Sequence, residues 1–351
     1  MIFQKRFLEL FRLAALGLLL TLAGCITLPS HVATELDDAK PGELNTYAAH
    51  AAAPMLPVRA SLADYGTAHG TARGKVPAEN TLSSGQILVR DDGDAVSLFV
   101  SLFAEEFMPW THVGIISVEA DGVYVYDTNG GLYPVPGLPP TSTYIGGPQR
   151  TPFDQYVSSA RVIGIFAPPP EADNSKIAAF AREHFGRGTP FDAYFDNTDD
   201  SALYCSELVA RALQAAGAAP IRPAPTRANR SYDVIRNWLR LRAAGFFLPG
   251  HFVDPTRQIA LWSRELSLPQ IEALFQARHE LARRFTAEAR LGHLFRWTGL
   301  TLTLREGPQR FMDSSLAAFA PGTSPQSDTG TVRHEIRRLA DRHFSTPAGD
   351  R

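Results

Sequence analysis

The chain has 351 residues, enough for one large domain or two small ones. Hydrophobic residues make up 44% and charged residues 20%, which excludes a largely disordered chain. The net charge of -2 and pI near 6.6 leave no basic surplus, so no nucleic-acid partner is expected. There are two cysteines, Cys25 and Cys205. If each has its own task, neither is free for a disulfide. A lone thiol is either a reactive group or a small buried hydrophobe, and the count alone leaves both open.

At the N-terminus Lys5, Arg6 and Arg12 accompany an apolar run from Leu13 to Leu22, followed by Leu22-Ala23-Gly24-Cys25. The run is short for a membrane span, which needs roughly 20 residues, and reads as an export signal. The Leu-Ala-Gly-Cys ending resembles a bacterial lipobox. That resemblance implies a signal peptide over 1–24, lipid attachment at Cys25, and a membrane as partner through it. Ile26, where an Asp would favour retention at the inner membrane, implies the outer membrane, facing the periplasm. Residues 25–78 are rich in Ala, Pro and Thr without an apolar period and read as a tether.

A first strand is expected at Gly85–Arg90 and a helix within Asp94–Phe107, with Val96, Phe99, Val100 and Phe103 on one face. His112–Val118 and Val123–Asp127 form a hairpin signal around Asp121-Gly122. Arg161–Phe166 is a further strand, ended by three prolines. Ser175–Phe185 and Tyr204–Ala216 have helical spacing, the second closed by Gly217. The class is α+β, an antiparallel sheet packed against helices, over residues 79–255. In a helical extension over 256–320, Leu268, Ile271, Leu274, Phe275, Leu281 and Phe285 recur at helical spacing. Arg278, Arg283, Arg284 and Arg290 are expected to be the solvated basic side of a packed helix, or else to lie on an anionic membrane. Residues 321–351 read as a flexible tail containing one short helix at Val332–His343.

Cys205 falls in the first turn of its helix, after Asp199, Asp200 and Ser201, which suit a cap. It shares a face with Leu208, Val209, Ala212, Leu213 and Ala216. Unpaired N–H groups and the positive end of the dipole lower a thiol's pKa there, and the same groups suit an oxyanion. A cysteine nucleophile needs a base. Of ten histidines, His112 alone begins a β run inside the domain. Asp127 closes the neighbouring strand. A two-residue turn at Asp121-Gly122 would set His112 opposite Gly131, leaving Asp127 and Asn129 on its side of the sheet. In that register Asn129 is nearer, and Asp127 needs a bulge or twist.

The order His, then carboxylate or amide, then Cys is the reverse of papain. It resembles the circularly permuted clade of the NlpC/p60-type papain-like superfamily. The matching pieces are Gly85-Gln86-Ile87-Leu88, Thr111-His112-Val113-Gly114-Ile115-Ile116, the strand ending at Asp127, Gly188-Thr189-Pro190-Phe191-Asp192, and Tyr204-Cys205-Ser206-Glu207-Leu208-Val209. The resemblance implies a permuted papain-like fold whose antiparallel sheet packs against the nucleophile helix. It also implies Cys205 as nucleophile, His112 as base and Asp127 as orienting acid. Tyr204 and Ser206 flank the nucleophile as oxyanion or support residues. The clade often has Glu where this chain has Asp127, so Asn129 stays open as the third member. The expected activity is amide or ester hydrolysis through a thioester, without metal or organic cofactor. Its substrate would be an envelope molecule, a peptidoglycan peptide or a lipid acyl group. The alternatives are a thioester-forming acyltransferase and a non-catalytic envelope-binding lipoprotein.

Overall fold

The computed structural model describes residues 77–132 except 94, 103 and 106; 144–226 except 193 and 199; 233; 245–285; 293–298; 301–321; and 329–344. The expected signal peptide, Cys25 and nearly all of the tether lie outside these residues, as do Arg290 and three side chains of the first predicted helix face, Val96, Val100 and Phe103.

The described strands are β1 (Ile87–Asp91), β2 (His112–Glu119), β3 (Gly122–Leu132), β4 (Tyr144–Pro152), β5 (Val162–Phe166), the two-residue β6 (Ala224–Pro225) and β7 (Gly245–Phe246), β8 (Gln258–Trp262), β9 (Phe295–Thr298) and β10 (Thr301–Leu304). The described helices are α1 (Ala95–Ser101), α2 (Phe153–Ser159), α3 (Asn174–Arg187), α4 (Cys205–Ala215), α5 (Leu268–Phe285), α6 (Glu306–Ala318) and α7 (Thr329–Phe344). Six strands form one sheet in the order β4-β3-β2-β1-β5-β8. Every pairing in it is antiparallel, so the molecule is α+β with an antiparallel sheet.

The sheet is apolar on both faces because both are covered. β2 carries five consecutive buried residues, which alternation would forbid in a strand with one wet face. Ile87, Val89, Val113, Ile115 and Tyr126 belong to the core that includes Val209 and Leu213 of α4 and Ile177 and Ala181 of α3. Leu88, Ile116, Val125 and Ile163 point the other way, onto Phe153, Tyr156 and Val157 of α2. Asp173 caps α3 by accepting from the Ser175 and Lys176 N–H groups, and Gly188 at φ 62 ends it.

Four expectations are corrected. The hairpin pairs Glu119 with Gly122, so its turn is Ala120-Asp121, one place earlier than expected, and every cross-strand partner shifts. The boundary at 255/256 cuts through one unit, because β8 is the edge strand of the main sheet, next to β5. The arginines of α5 are not a solvated face. Arg278, Arg283 and Arg284 are buried, and their charges meet Asp91, Glu280 and Asp341. Finally, most of the expected flexible tail is the sixteen-residue helix α7. Val332, Ile336, Leu339, Ala340 and Phe344 are buried, with α7 against α5 and α6. An apolar stripe at steps of three and four, given a surface to cover, orders a segment that would not hold a helix alone.

Candidate active site

Cys205 opens α4, with Tyr204 as N-cap and no side-chain cap. The N–H groups of Cys205 and Ser206 therefore have no acceptor within the helix. Four hydrogen bonds hold this helix start. The buried Thr128 hydroxyl of β3 donates to the Leu203 carbonyl at 3.1 Å. The Leu203 N–H donates to the Pro190 carbonyl at 2.9 Å. The Tyr204 hydroxyl donates to Asn197 Oδ1 at 2.6 Å and accepts the Phe247 N–H at 2.8 Å. Tyr204 thus fastens two loops to α4, and its phenol does not serve as an oxyanion donor. Ser206 is buried, with its hydroxyl 3.8 Å from the Cys205 sulfur. The Gly188–Asp192 segment lies against β4, where the Phe191 N–H donates to the Gly146 carbonyl at 3.2 Å.

His112 is the first residue of β2, and its side chain keeps 14% of its surface exposed. Its Nε2 lies 2.6 Å from Oδ2 of the fully buried Asp127. The other ring nitrogen is left for Cys205, whose sulfur is close enough to act on the imidazole. No bulge brings Asp127 into reach. Continued along the strands, the observed register sets Asp127 opposite Gly114. A Cβ on Gly114 would stand 3.2 Å from the Asp127 Cβ and 2.7 Å from Val125 Cγ1. The missing side chain lets the carboxylate lean diagonally across to His112. Asn129 supports the carboxylate instead of the imidazole, its Nδ2 donating to Asp127 Oδ2 at 2.8 Å.

The electrostatics follow from this contact. Burial disfavours charged imidazole, but the Cys205 thiolate and the Asp127 carboxylate outweigh it and push His112 from 6.5 up to about 10. Burial also pushes the Cys205 thiol up, yet His112, with help from Ser206 and the Val113 N–H, brings it below its ordinary value of 9.0. Both shifts run toward the thiolate–imidazolium form of the pair.

The other described histidines have different surroundings. His184 is buried with its Nδ1 2.9 Å from the Thr189 hydroxyl, and His251 Nδ1 accepts the Leu248 N–H at 3.3 Å. His279 is buried in α5, where desolvation pushes it down to about 4. Among the described residues no group of three or more His, Cys, Asp or Glu is placed to hold a metal ion. Two neighbours of the site escape sequence reasoning. Arg90 pairs with His112 across β1 and β2, and Tyr156 on α2 sets its ring 6.5 Å from the imidazole. Neither lies in a motif, and only the register and the α2 packing bring them there.

No protein-family profile matches the chain, and neither does any curated protein. Among solved structures, the metalloprotein yiiX from Escherichia coli O157:H7 is similar over 50% of this chain and 94% of that one. Identity is 17% and the TM-score 0.38, a likeness too slight to support any argument about fold or function.

Proposed function

We propose that this protein is a cysteine hydrolase of permuted papain-like type, cleaving an amide or ester through a thioester. The observation that supports this reading is His112 placed between the Asp127 carboxylate and the Cys205 sulfur at a helix start. The resting pair holds the proton on His112. The Cys205 thiolate attacks the carbonyl carbon, and the oxygen takes the electron pair beside the N–H groups of Cys205 and Ser206. As the intermediate collapses, His112 gives its proton to the leaving amine or alcohol, and the acyl group stays on sulfur. Neutral His112 then takes a proton from water, whose oxygen attacks the thioester. Release of the acid restores thiolate and imidazolium. Asp127 keeps Nε2 protonated throughout and aims the other nitrogen at the sulfur.

In this reading the protein acts at the cell envelope, tethered to the outer membrane through lipid on Cys25, on a peptidoglycan peptide or an acylated lipid. A small ester tests the chemistry independently of that substrate. Incubation with p-nitrophenyl acetate should release p-nitrophenolate in a burst and leave an acetyl group on the Cys205 peptide, found by mass spectrometry. Cys205→Ser or His112→Ala should lose the adduct and the burst. A burst retained in Cys205→Ser would overturn the mechanism. An acyltransferase would share the adduct but pass the acetyl group to an added amine in preference to water.

A further inference from the structure

The wall behind the His112–Asp127 pair contains two buried polar atoms without a partner. Tyr156 is 3% exposed, and its hydroxyl has no hydrogen-bond partner among the described residues. Asp127 is fully buried, and its Oδ1 has none either, because His112 and Asn129 both bind Oδ2. Leaving such an atom unpaired is costly, and buried polar groups in folded proteins are nearly always paired. These two are complementary, an O–H donor and a carboxylate acceptor. They also belong to one neighbourhood. The Tyr156 ring lies 6.5 Å from the His112 ring at an interplanar angle of 31°. On this face the Arg90 guanidinium stands 5.0 Å from the Tyr156 ring centre, held by Asp92 and Ser159. The charged and titratable groups facing the phenol are therefore Arg90 and Asp92 beside it, Asp127 and His112 from the sheet, and Cys205 from α4. Of the charges, Asp127 acts on it most strongly.

We propose that Tyr156 is a positioning residue for the reaction, its hydroxyl turning onto Oδ1 of Asp127 to fix the plane of the carboxylate that holds His112. This rests on the reading of Cys205 and His112 as nucleophile and base. Both existing bonds fall on Oδ2, and no donor holds Oδ1. A donor on Oδ1 would hold both oxygens, and with them the plane of the carboxylate. An aligned Asp127 stabilises the imidazolium, and through it the thiolate.

The test is iodoacetamide alkylation of Cys205 across pH in wild type, His112→Ala and Tyr156→Phe, all carrying Cys25→Ser. Tyr156→Phe keeps the ring, and circular dichroism checks the fold. The proposal expects fast wild-type alkylation whose acid limb moves up by about half a unit or more in Tyr156→Phe, with the rate at neutral pH down about threefold. A limb that stays in place or moves to lower pH overturns it, since the hydroxyl is then an unpaired passenger or merely damps the Asp127 charge. Slow wild-type alkylation, unchanged by His112→Ala, overturns the nucleophile reading and this proposal together. A fast wild type with an unmoved Tyr156→Phe overturns the Tyr156 proposal alone.

Discussion

At Gly114 the absence of a side chain shapes the site more than most side chains do. A Cβ there would press on Val125 Cγ1, the Tyr126 carbonyl and the Asp127 Cβ, and without it Asp127 reaches His112. Gly114→Ala should therefore cost about 1–3 kcal/mol of stability in urea titrations, because the new methyl meets Val125 Cγ1 at 2.7 Å and the Tyr126 carbonyl at 3.0 Å. It should also slow Cys205 alkylation at neutral pH by pushing Asp127 off His112. Loss of stability with the alkylation rate intact would mean that the carboxylate is not held there by Gly114. His112, Asp127 and Cys205 were legible in the sequence because each sits in a short local pattern, a strand start, a strand end and a helix start. The choice of Asp127 over Asn129 was not. The observed register, continued along the strands, still sets Asn129 opposite His112, and Asp127 reaches the imidazole diagonally past the bare Gly114, which no local pattern announces. Tyr156 was illegible because it approaches from α2, on the opposite side of the sheet from α3 and α4.

Among the elements, helix periodicity was read well and helix environment poorly. The α4 stripe of Leu208, Val209, Ala212 and Leu213 is buried as its spacing implies. The arginines of α5 follow the same arithmetic, yet two of their partners, Asp91 and Asp341, are remote in the chain. Arg278 of α5 reaches Asp91 at the end of β1, both buried. Arg284 spans Glu280 on its own helix and Asp341 on α7. No pattern in residues 268–285 announces Asp91 or Asp341, so a buried charge network reads as a solvated face. The Asp91–Arg278 pair fastens α5 to the strand beside β2. Burial outweighs the pull of Arg278 and holds the Asp91 carboxyl above its usual range, so the charged pair stabilises little relative to an apolar one. Arg278→Met should cost about 3–5 kcal/mol, measured by denaturant unfolding, because it strands a buried carboxylate. Adding Asp91→Leu should recover most of that loss. A double variant as unstable as the single one would show that the pair itself, and not the stranded charge, carries the stability.

Over the whole molecule, one antiparallel sheet covered on both faces brings residues from three separate stretches to one sheet end. β2 supplies the imidazole, β3 the carboxylate and α4 the sulfur, while α5 to α7 add to the same core on the α4 side. That class of fold was legible from the hairpin signal and from strands and helices in separate stretches of the chain. The merging of the C-terminal region with the sheet was not, since β8 is a five-residue strand whose partner β5 lies far back in the chain. The measurement that tests the central claim most directly is the pH profile of Cys205 alkylation in the full chain carrying Cys25→Ser, with and without His112→Ala. His112 lowers the thiol below 9.0 and burial alone raises it. Wild type should therefore stay reactive below pH 9, losing rate only as pH falls through the lowered value. In His112→Ala the whole profile should move to pH above 9. Slow alkylation with the same profile in both proteins would contradict the account and make Cys205 a core residue of a non-catalytic protein.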